Sequence, residues 1–152
     1  HAALSYPAAA EAFSDDEARE ALRLVGLAHL APSLDEEERW DRVLSLGEQQ
    51  RMAFARLLLH KPAWIFMDEA TAALDEPNQD MLMQLVVDRL PNVALVSIGH
   101  RQGLEVFHHR TLTLKRQPEG GAQLSLPPRR VRPSAGWVAP GLRDRLRKTI
   151  DS

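Results

Sequence analysis

The sequence has no cysteine, no long hydrophobic run and little net charge, and each absence excludes a class of protein. Without cysteine there is no disulfide framework, no zinc site built on thiolates and no cysteine nucleophile. No run of about 18 or more apolar residues is present, so no segment is expected to span a bilayer. The formal net charge of -2 gives no overall reason to expect a nucleic-acid partner. A chain of 152 residues with 44% hydrophobic content then suits one globular domain.

The first half of the chain contains two predicted helices. Ser14 and Glu17 form a capping-box pattern, and apolar residues then recur at helical spacing, so we predict a helix over residues 15–25. A second helix is predicted to begin at or just after Gly47 and to end before Pro62, which cannot continue it.

The middle of the chain predicts a parallel sheet. Residues 63–67, AWIFM, are apolar without polar alternation, which indicates a strand covered on both faces. A helix with Pro77 as its first residue should continue to Pro91, and residues 93–98 should form a second buried strand. The order strand, helix, strand predicts a crossover unit with parallel strands.

The last third of the chain is predicted to contain two strands followed by a tail. Residues 111–115 form a third strand, which can pair with residues 122–126 across the turn at 119–121. The remaining residues are rich in proline and arginine, and we predict a mobile tail that ends in a short basic helix, LRDRLRKTI.

Polar side chains follow both strands of the predicted parallel pair. Asp68 and Glu69 end the first strand, and His100 follows the second. Neighbouring strands lie about 4.8 Å apart, so these three side chains can share one site at the carboxyl edge of the sheet. Carboxylates that hold hydrated magnesium and orient water, with a donor to the terminal phosphate, are what phosphoryl transfer requires.

Each of these features alone has an ordinary structural explanation. A strand can end in two acids by chance, and a histidine after a strand is more often a satisfied surface or core residue. Ser45 and Gly47 can equally be a helix cap and a turn. The combination of motifs in one order is what favours a nucleotide site.

LSLGEQQR, MDEATAALDE and SIGHR, in that order and at these separations, resemble the ATP-binding domain of ABC transporters over roughly residues 14–115. WDRVLSLGEQQR is most similar to the bacterial branch with a fused permease, associated with uptake of vitamin B12, bleomycin or antimicrobial peptides. The resemblance assigns four motifs: the signature Leu44–Glu48, the Walker B strand Ala63–Glu69, the D-loop Ala73–Glu76 and the switch histidine His100.

The resemblance implies an α/β fold: a partial P-loop NTPase (RecA-like) core with parallel strands plus the helical signature subdomain, with the phosphate-loop strand missing. The implied divisions are a helical signature subdomain at 1–62, the C-terminal part of the ATPase core at 63–126 and the tail at 127–152. The implied cofactors are ATP and Mg²⁺.

The resemblance also implies roles for single residues. Asp68 would bind magnesium through water, Glu69 would polarise the attacking water, and His100 would contact the terminal phosphate. Asp75 would couple the two sites of a dimer.

The signature residues Ser45, Gly47 and Glu48 would contact ATP held by the opposite subunit. The amino end of the helix after Gly47 would face the phosphate with its free N–H groups. This sequence departs from the commonest signature at Leu46, which replaces a second glycine, and at Glu48, which replaces glutamine and brings a negative charge towards phosphate.

The sequence contains no GxxxxGK[ST] loop, because none of Lys61, Lys115 and Lys148 follows a glycine at the required spacing. We therefore expect a C-terminal fragment whose hydrolysis of ATP alone is negligible. In the family fold the phosphate-loop strand lies between the strands at 93–98 and 111–115, so those two strands should be separated or re-paired, or the chain should be unstable.

The intact protein is expected at the cytoplasmic face of the bacterial inner membrane, with a second ATP-binding domain and a membrane-spanning permease as partners and no nucleic acid. Two other functions stay open. One is a soluble ABC-type ATPase that acts on nucleic acid or ribosomes, which would need coiled-coil arms or a basic face. The other is a non-catalytic remnant.

Overall fold

A computed structural model describes residues 1–36, 39–99, 103–118 and 120–125. The chain divides into two compact units, His1–Gly99 and His100–Ser152. The described part of the first unit contains five α-helices: α1 Ala2–Ser5, α2 Asp15–Leu24, α3 Trp40–Val43, α4 Leu46–His60 and α5 Glu76–Arg89. It also contains strands β1 Trp64–Asp68 and β2 Ala94–Ile98 and 3₁₀ turns at Ala10–Ala12 and Ala28–Ser33. The described part of the second unit contains a 3₁₀ turn at Leu104–Phe107 and strands β3 Thr113–Arg116 and β4 Ala122–Ser125.

Helix α2 confirms the prediction from its capping box. The Ser14 hydroxyl accepts a hydrogen bond from the Glu17 N–H, and the Glu17 carboxylate accepts one from the Ser14 N–H. This reciprocal pair satisfies two N–H groups that have no partner within the helix. The helix ends at Leu24, one residue before the predicted end, and Gly26 follows with a φ of 73°.

Helix α4 begins at Leu46, before the predicted start at or just after Gly47. The reason is a second capping box, in which Ser45 is the N-cap and Glu48 the third helical residue. The helix ends at His60, as predicted, and Lys61 takes a left-handed conformation with a φ of 45° immediately before Pro62. A residue before proline is disfavoured in the α-helical conformation, which explains the stop.

The core of the first unit lies around α4. This helix contacts α1, α2 and α5, and apolar residues from all of these elements are buried there. Its largest fully buried apolar side chains are Leu22, Val25, Leu27, Phe54, Leu82, Met83 and Val86.

Strands β1 and β2 pair in parallel, with Trp64 opposite Ala94 and Asp68 opposite Ile98. The parallel pairing confirms the prediction of a strand–helix–strand unit. The connecting helix α5 begins at Glu76, so Pro77 is its second residue and not its first, and Asp75 is its N-cap.

The prediction that β1 is covered on both faces is wrong. Ile65 and Met67 are buried, but Trp64 and Phe66 are 62% and 75% exposed, and their rings stack on each other. The prediction of a buried β2 is also wrong, because its residues are half-buried or exposed. The physical reason is the same for both strands. They form a two-stranded sheet, and the described part of the chain covers only one of its faces.

Strands β3 and β4 form an antiparallel hairpin with Thr113 opposite Ser125, which confirms the predicted pairing. Strands β2 and β3 belong to different sheets, and the prediction that the strands at 93–98 and 111–115 are separated or re-paired, or that the chain is unstable, stays a prediction. The predicted tail at 127–152 and its basic helix lie outside the described residues. The functional divisions at residues 62 and 126 stay a prediction.

Candidate nucleotide site

The amino end of α4 is held by a hydrogen-bonded cluster around Glu48. One oxygen of its carboxylate accepts from the Ser45 N–H at 2.9 Å and from the Ser45 hydroxyl at 2.7 Å. The Ser45 hydroxyl in turn accepts from the Glu48 N–H at 3.3 Å. The hydrogen bonds from the Ser45 hydroxyl and N–H lower the pKa of Glu48 below its ordinary value. The charge of this carboxylate is therefore stabilised within its own helix turn.

His29 adds a second contact to the same carboxylate. Its Nε2 lies 3.2 Å from Oε1 of Glu48, the oxygen that does not bind Ser45. His29 also acts to lower the pKa of Glu48, although less than Ser45 does. Both oxygens of Glu48 therefore have partners within the chain, which hold the carboxylate in place at the helix terminus.

Gly47 lies against the turn that follows β1. A Cβ atom at this position would lie 3.4 Å from the Ala73 carbonyl oxygen and 3.8 Å from Cδ2 of Leu74. The side chain of Gln50, three residues further along α4, reaches the same turn, where its Oε1 accepts from the Ala73 N–H at 3.0 Å. The structure thus brings the predicted signature and the predicted D-loop together.

The sequence alone assigns no role to Gln50, although this residue lies inside the quoted motif LSLGEQQR. Positions three apart share a helix face, so Gln50 lies on the same side of α4 as Gly47. The three-residue spacing from Gly47 is therefore the sequence feature that indicates Gln50. The contact with Ala73 could not be read from it, because the two residues are 23 positions apart.

The end of β1 presents two consecutive acids. Asp68 is the last strand residue and pairs with Ile98, and its side chain is exposed. Glu69 is also exposed and has a φ of 46°, in the left-handed region that few residues other than glycine adopt. Its N–H still donates to the Ile98 carbonyl at 3.0 Å, so the hydrogen bonding between the strands continues through this residue. The backbone turns sharply immediately after the carboxylate pair.

The turn after Glu69 is anchored on α5. The Thr71 hydroxyl donates to Oε1 of Gln79 at 3.0 Å, and both side chains are buried. Leu74 is buried, and the Asp75 carboxylate accepts from the Asn78 N–H at 2.9 Å as the cap of α5. The predicted coupling role of Asp75 stays a prediction, and what the structure gives this residue is a capping role.

The third predicted member of the strand-end cluster, His100, lies outside the described residues. The structure therefore describes the acid pair at the end of β1, strand β2 and the following Gly99.

The carboxylates at the end of β1 fit a magnesium ion in their chemistry. Among the described residues, no group of three or more histidine, aspartate or glutamate side chains is placed to hold a metal. Magnesium, however, keeps several of its waters and commonly takes one or two protein carboxylates together with substrate phosphates. An exposed Asp68 next to an exposed Glu69 matches that donor set.

Comparison with known proteins confirms the resemblance to ABC transporters. Residues 6–72 match the family model described as ABC transporter. An uncharacterized ABC transporter ATP-binding protein of Haemophilus influenzae is 50% identical over 113 residues, which are 74% of this chain and 19% of that protein. The inner membrane ABC transporter ATP-binding protein YddA of Escherichia coli is 41% identical over 59% of this chain and 16% of its own length. The human lysosomal cobalamin transporter ABCD4 is 38% identical over 72% of this chain and 18% of its own length.

The fold is also similar to a solved structure, a metal-chelate type ABC transporter in an inward-facing conformation. The TM-score is 0.52 at 26% identity, over 78% of this chain and 45% of that one. This similarity confirms the predicted α/β class with parallel strands of the P-loop NTPase type. The chain spans less than a fifth of the length of the curated relatives named above. None of the helices in the described ranges has the length and apolar character needed to cross a bilayer.

Proposed function

Because the chain belongs to the ABC transporter family of ATP-binding domains, we propose that it is part of an ATPase that powers the movement of a substrate across a membrane. One observation carries this proposal beyond family membership. Asp68 and Glu69 lie at the carboxyl end of a parallel strand, and Ser45 and Gly47 lie at the amino end of a helix, the two kinds of place where chemistry with phosphate is expected.

Asp68 and Glu69 supply the acidic half of the site. We assign Asp68 to magnesium, through water, and Glu69 to the water that attacks the terminal phosphate. Bound magnesium would neutralise charge on the phosphates during transfer. The left-handed backbone at Glu69 supports this assignment, because unusual backbone conformations cluster at functional sites. His100 completes this half as the contact to the terminal phosphate.

The amino end of α4 supplies the other half, to a nucleotide held mainly by a second ATP-binding domain. Ser45 and Gly47 lie where the N–H groups and the dipole of a 15-residue helix favour negative charge. Glu48 takes part through the capping box, which fixes the first turn. Asp75 belongs to the segment that couples the two sites of the dimer.

The partners follow from this division of the site. A second ATP-binding domain completes each nucleotide site, and a membrane-spanning permease uses the energy of ATP hydrolysis to move the substrate. The ATP-binding domains lie at the cytoplasmic face of a bacterial inner membrane. The relatives named as transporters do not favour an ATPase acting on nucleic acid or ribosomes. The 152 residues alone hydrolyse ATP negligibly, since the loop that supplies most backbone donors to the β- and γ-phosphates is not among them.

A chimeric protein tests this proposal. The matching 113-residue region of the Haemophilus influenzae relative is replaced by this chain's sequence, and MgATP hydrolysis is compared in the relative, the chimera and the chimera with Glu69→Gln. We expect hydrolysis in the first two and a loss of at least about 100-fold in the third, in line with the contribution of general acid–base chemistry.

The glutamine variant keeps the size of the side chain and removes its charge, so its fold is checked by circular dichroism and thermal unfolding. An inactive chimera beside an active relative would contradict the proposal. So would an active chimera that Glu69→Gln leaves unchanged, or hydrolysis by the 152-residue chain alone that depends on Glu69.

A further inference from the structure

The turn between β1 and α5 is held from two sides. Thr71 and Asp75 attach it to α5 through a buried hydrogen bond and a helix cap. On its other side, the backbone of Ala73 meets α4, where its N–H donates to Gln50 and its carbonyl lies against Gly47. Both backbone groups of one residue therefore contact the same face of α4.

The contacts that Gly47 and Gln50 make with Ala73 constrain the turn in different ways. Gly47 presents no side chain, so its contact with Ala73 limits how closely α4 can approach the turn but does not bind it. The Gln50 amide oxygen supplies a directional hydrogen bond of 3.0 Å, and such bonds depend strongly on distance and angle. Gln50 thus gives the turn a directional hydrogen bond to α4, beside the Leu74 side chain, which lies against Gly47.

We propose that Gln50 is a positioning residue that joins the signature end of α4 to the D-loop segment Ala73–Glu76, so that the two move as one unit. This proposal rests on the proposed function, in which the amino end of α4 faces one nucleotide and the turn follows the acid pair that acts on another. A displacement of α4 when it meets the first nucleotide is passed through Gln50 to the turn that begins at Glu69.

The chemistry of Gln50 suits positioning and not catalysis. Its side-chain oxygen is engaged by a backbone N–H of the same chain. Removing the Gln50 side chain should therefore lower kcat more than it weakens nucleotide binding. Gln49, the preceding residue, offers a matched control, because its side-chain amide donates to the Leu44 carbonyl at 2.9 Å.

The first experiment measures amide hydrogen exchange at Ala73 in the 152-residue chain. Gln50→Ala should speed exchange of this amide by roughly fivefold, the effect of losing one typical hydrogen bond. Gln50→Glu keeps an acceptor oxygen and should stay within about twofold of the parent, as should Gln49→Ala. Equal exchange at Ala73 in the parent and Gln50→Ala would overturn the proposal. So would faster exchange at Ala73 in Gln49→Ala than in Gln50→Ala.

The second experiment uses the active chimera. Gln50→Ala should lower kcat by about tenfold or more while KM changes less than about threefold, as expected for an interaction that acts in turnover and not in binding. Gln50→Glu should recover most of kcat. An unchanged kcat in Gln50→Ala, or a change confined to KM, would overturn the positioning role while leaving the proposed ATPase intact. An inactive parental chimera would instead count against the proposed function, and the exchange measurement would still decide whether Gln50 holds the turn.

Discussion

Two glutamates, Glu17 and Glu48, have the same structural role at the start of α2 and α4. Each closes a capping box with a serine three residues earlier, with closely similar hydrogen-bond lengths. The pKa of each is lowered, for Glu17 mainly by the Ser14 N–H and for Glu48 mainly by the Ser45 hydroxyl. Only Glu48 has an additional histidine partner. The charge of Lys61 also lowers the pKa of Glu17, by less than the Ser14 hydrogen bonds do, so what the two glutamates share is the effect of capping.

These lowered pKa values predict how stability depends on pH. A carboxylate whose pKa is lower in the folded state stabilises the fold above its unfolded-state value, here the ordinary 4.5, and this contribution is lost as pH falls through the folded-state pKa. Glutamine can take the same place in a capping box without titrating. We therefore expect Glu48→Gln and Glu17→Gln to be less stable than the parent at pH 7 and to lose less stability than the parent between pH 5 and about pH 3.

Urea unfolding at several pH values measures this difference, with the double variant to test whether the two effects add. A parent and a Glu48→Gln variant whose free energies of unfolding change equally with pH would contradict the role assigned to the Glu48 charge.

For single residues, the sequence predicts the structure where the pattern involves residues close together along the chain. The capping box at Ser14 was identified and correctly predicted α2. Ser45 is also a candidate helix cap in the sequence, but the capping box depends on its pairing with Glu48, and without that pairing the predicted start of α4 falls too late. Gln50 was missed because its partner, Ala73, becomes a neighbour only when α4 packs beside the turn after β1. No local pattern contains that information.

At the scale of elements, β1 shows what an apolar sequence can and cannot predict. The run AWIFM correctly predicted a strand and its parallel partner. It predicted cover on both faces because both faces are apolar, yet Ile65 is 3% exposed and Phe66 is 75% exposed. Hydrophobicity gives the tendency of a face to be buried, whereas burial itself depends on whether another element packs there. Phe66, with Trp64 and Ile98, forms an exposed apolar surface on the β1–β2 pair.

This difference within one strand gives a second prediction. Ile65→Ala should lower the free energy of unfolding by about 2–5 kcal/mol, because it removes buried methyl and methylene groups and leaves a cavity. Phe66→Ala should lower it by less than about 1 kcal/mol, mainly through the lost stacking on Trp64. Denaturant unfolding of both variants at the same protein concentration makes the comparison. A loss for Phe66→Ala as large as that for Ile65→Ala would show that this face is covered in solution.

At the scale of the whole molecule, the predicted nucleotide site is spread over separate elements and over two subunits. The motifs could be found from the sequence because each is a short continuous segment. That β2 and β3 belong to different sheets agrees with the expected family order, which has another strand between them. How the motifs contact each other could not be predicted, because it depends on the packing of α4 and α5 around the turn at Ala73.

This division of the site predicts how the free 152-residue chain responds to nucleotide. A ligand that binds only the folded state stabilises it by RT ln(1 + [L]/Kd), which is about 2.7 kcal/mol when the ligand concentration is 100 times Kd. In a chain of this size that would raise Tm by roughly 5–11 °C. Asp68 and Glu69 repel phosphate until magnesium is present, and the amino end of α4 is expected to serve a nucleotide held by another domain. We therefore expect 1 mM MgATP to raise Tm by less than about 1 °C, which corresponds to a Kd near or above the millimolar range. Differential scanning calorimetry with MgATP and with magnesium alone tests this, and a rise of several degrees specific to MgATP would show that these residues bind the nucleotide without a phosphate loop.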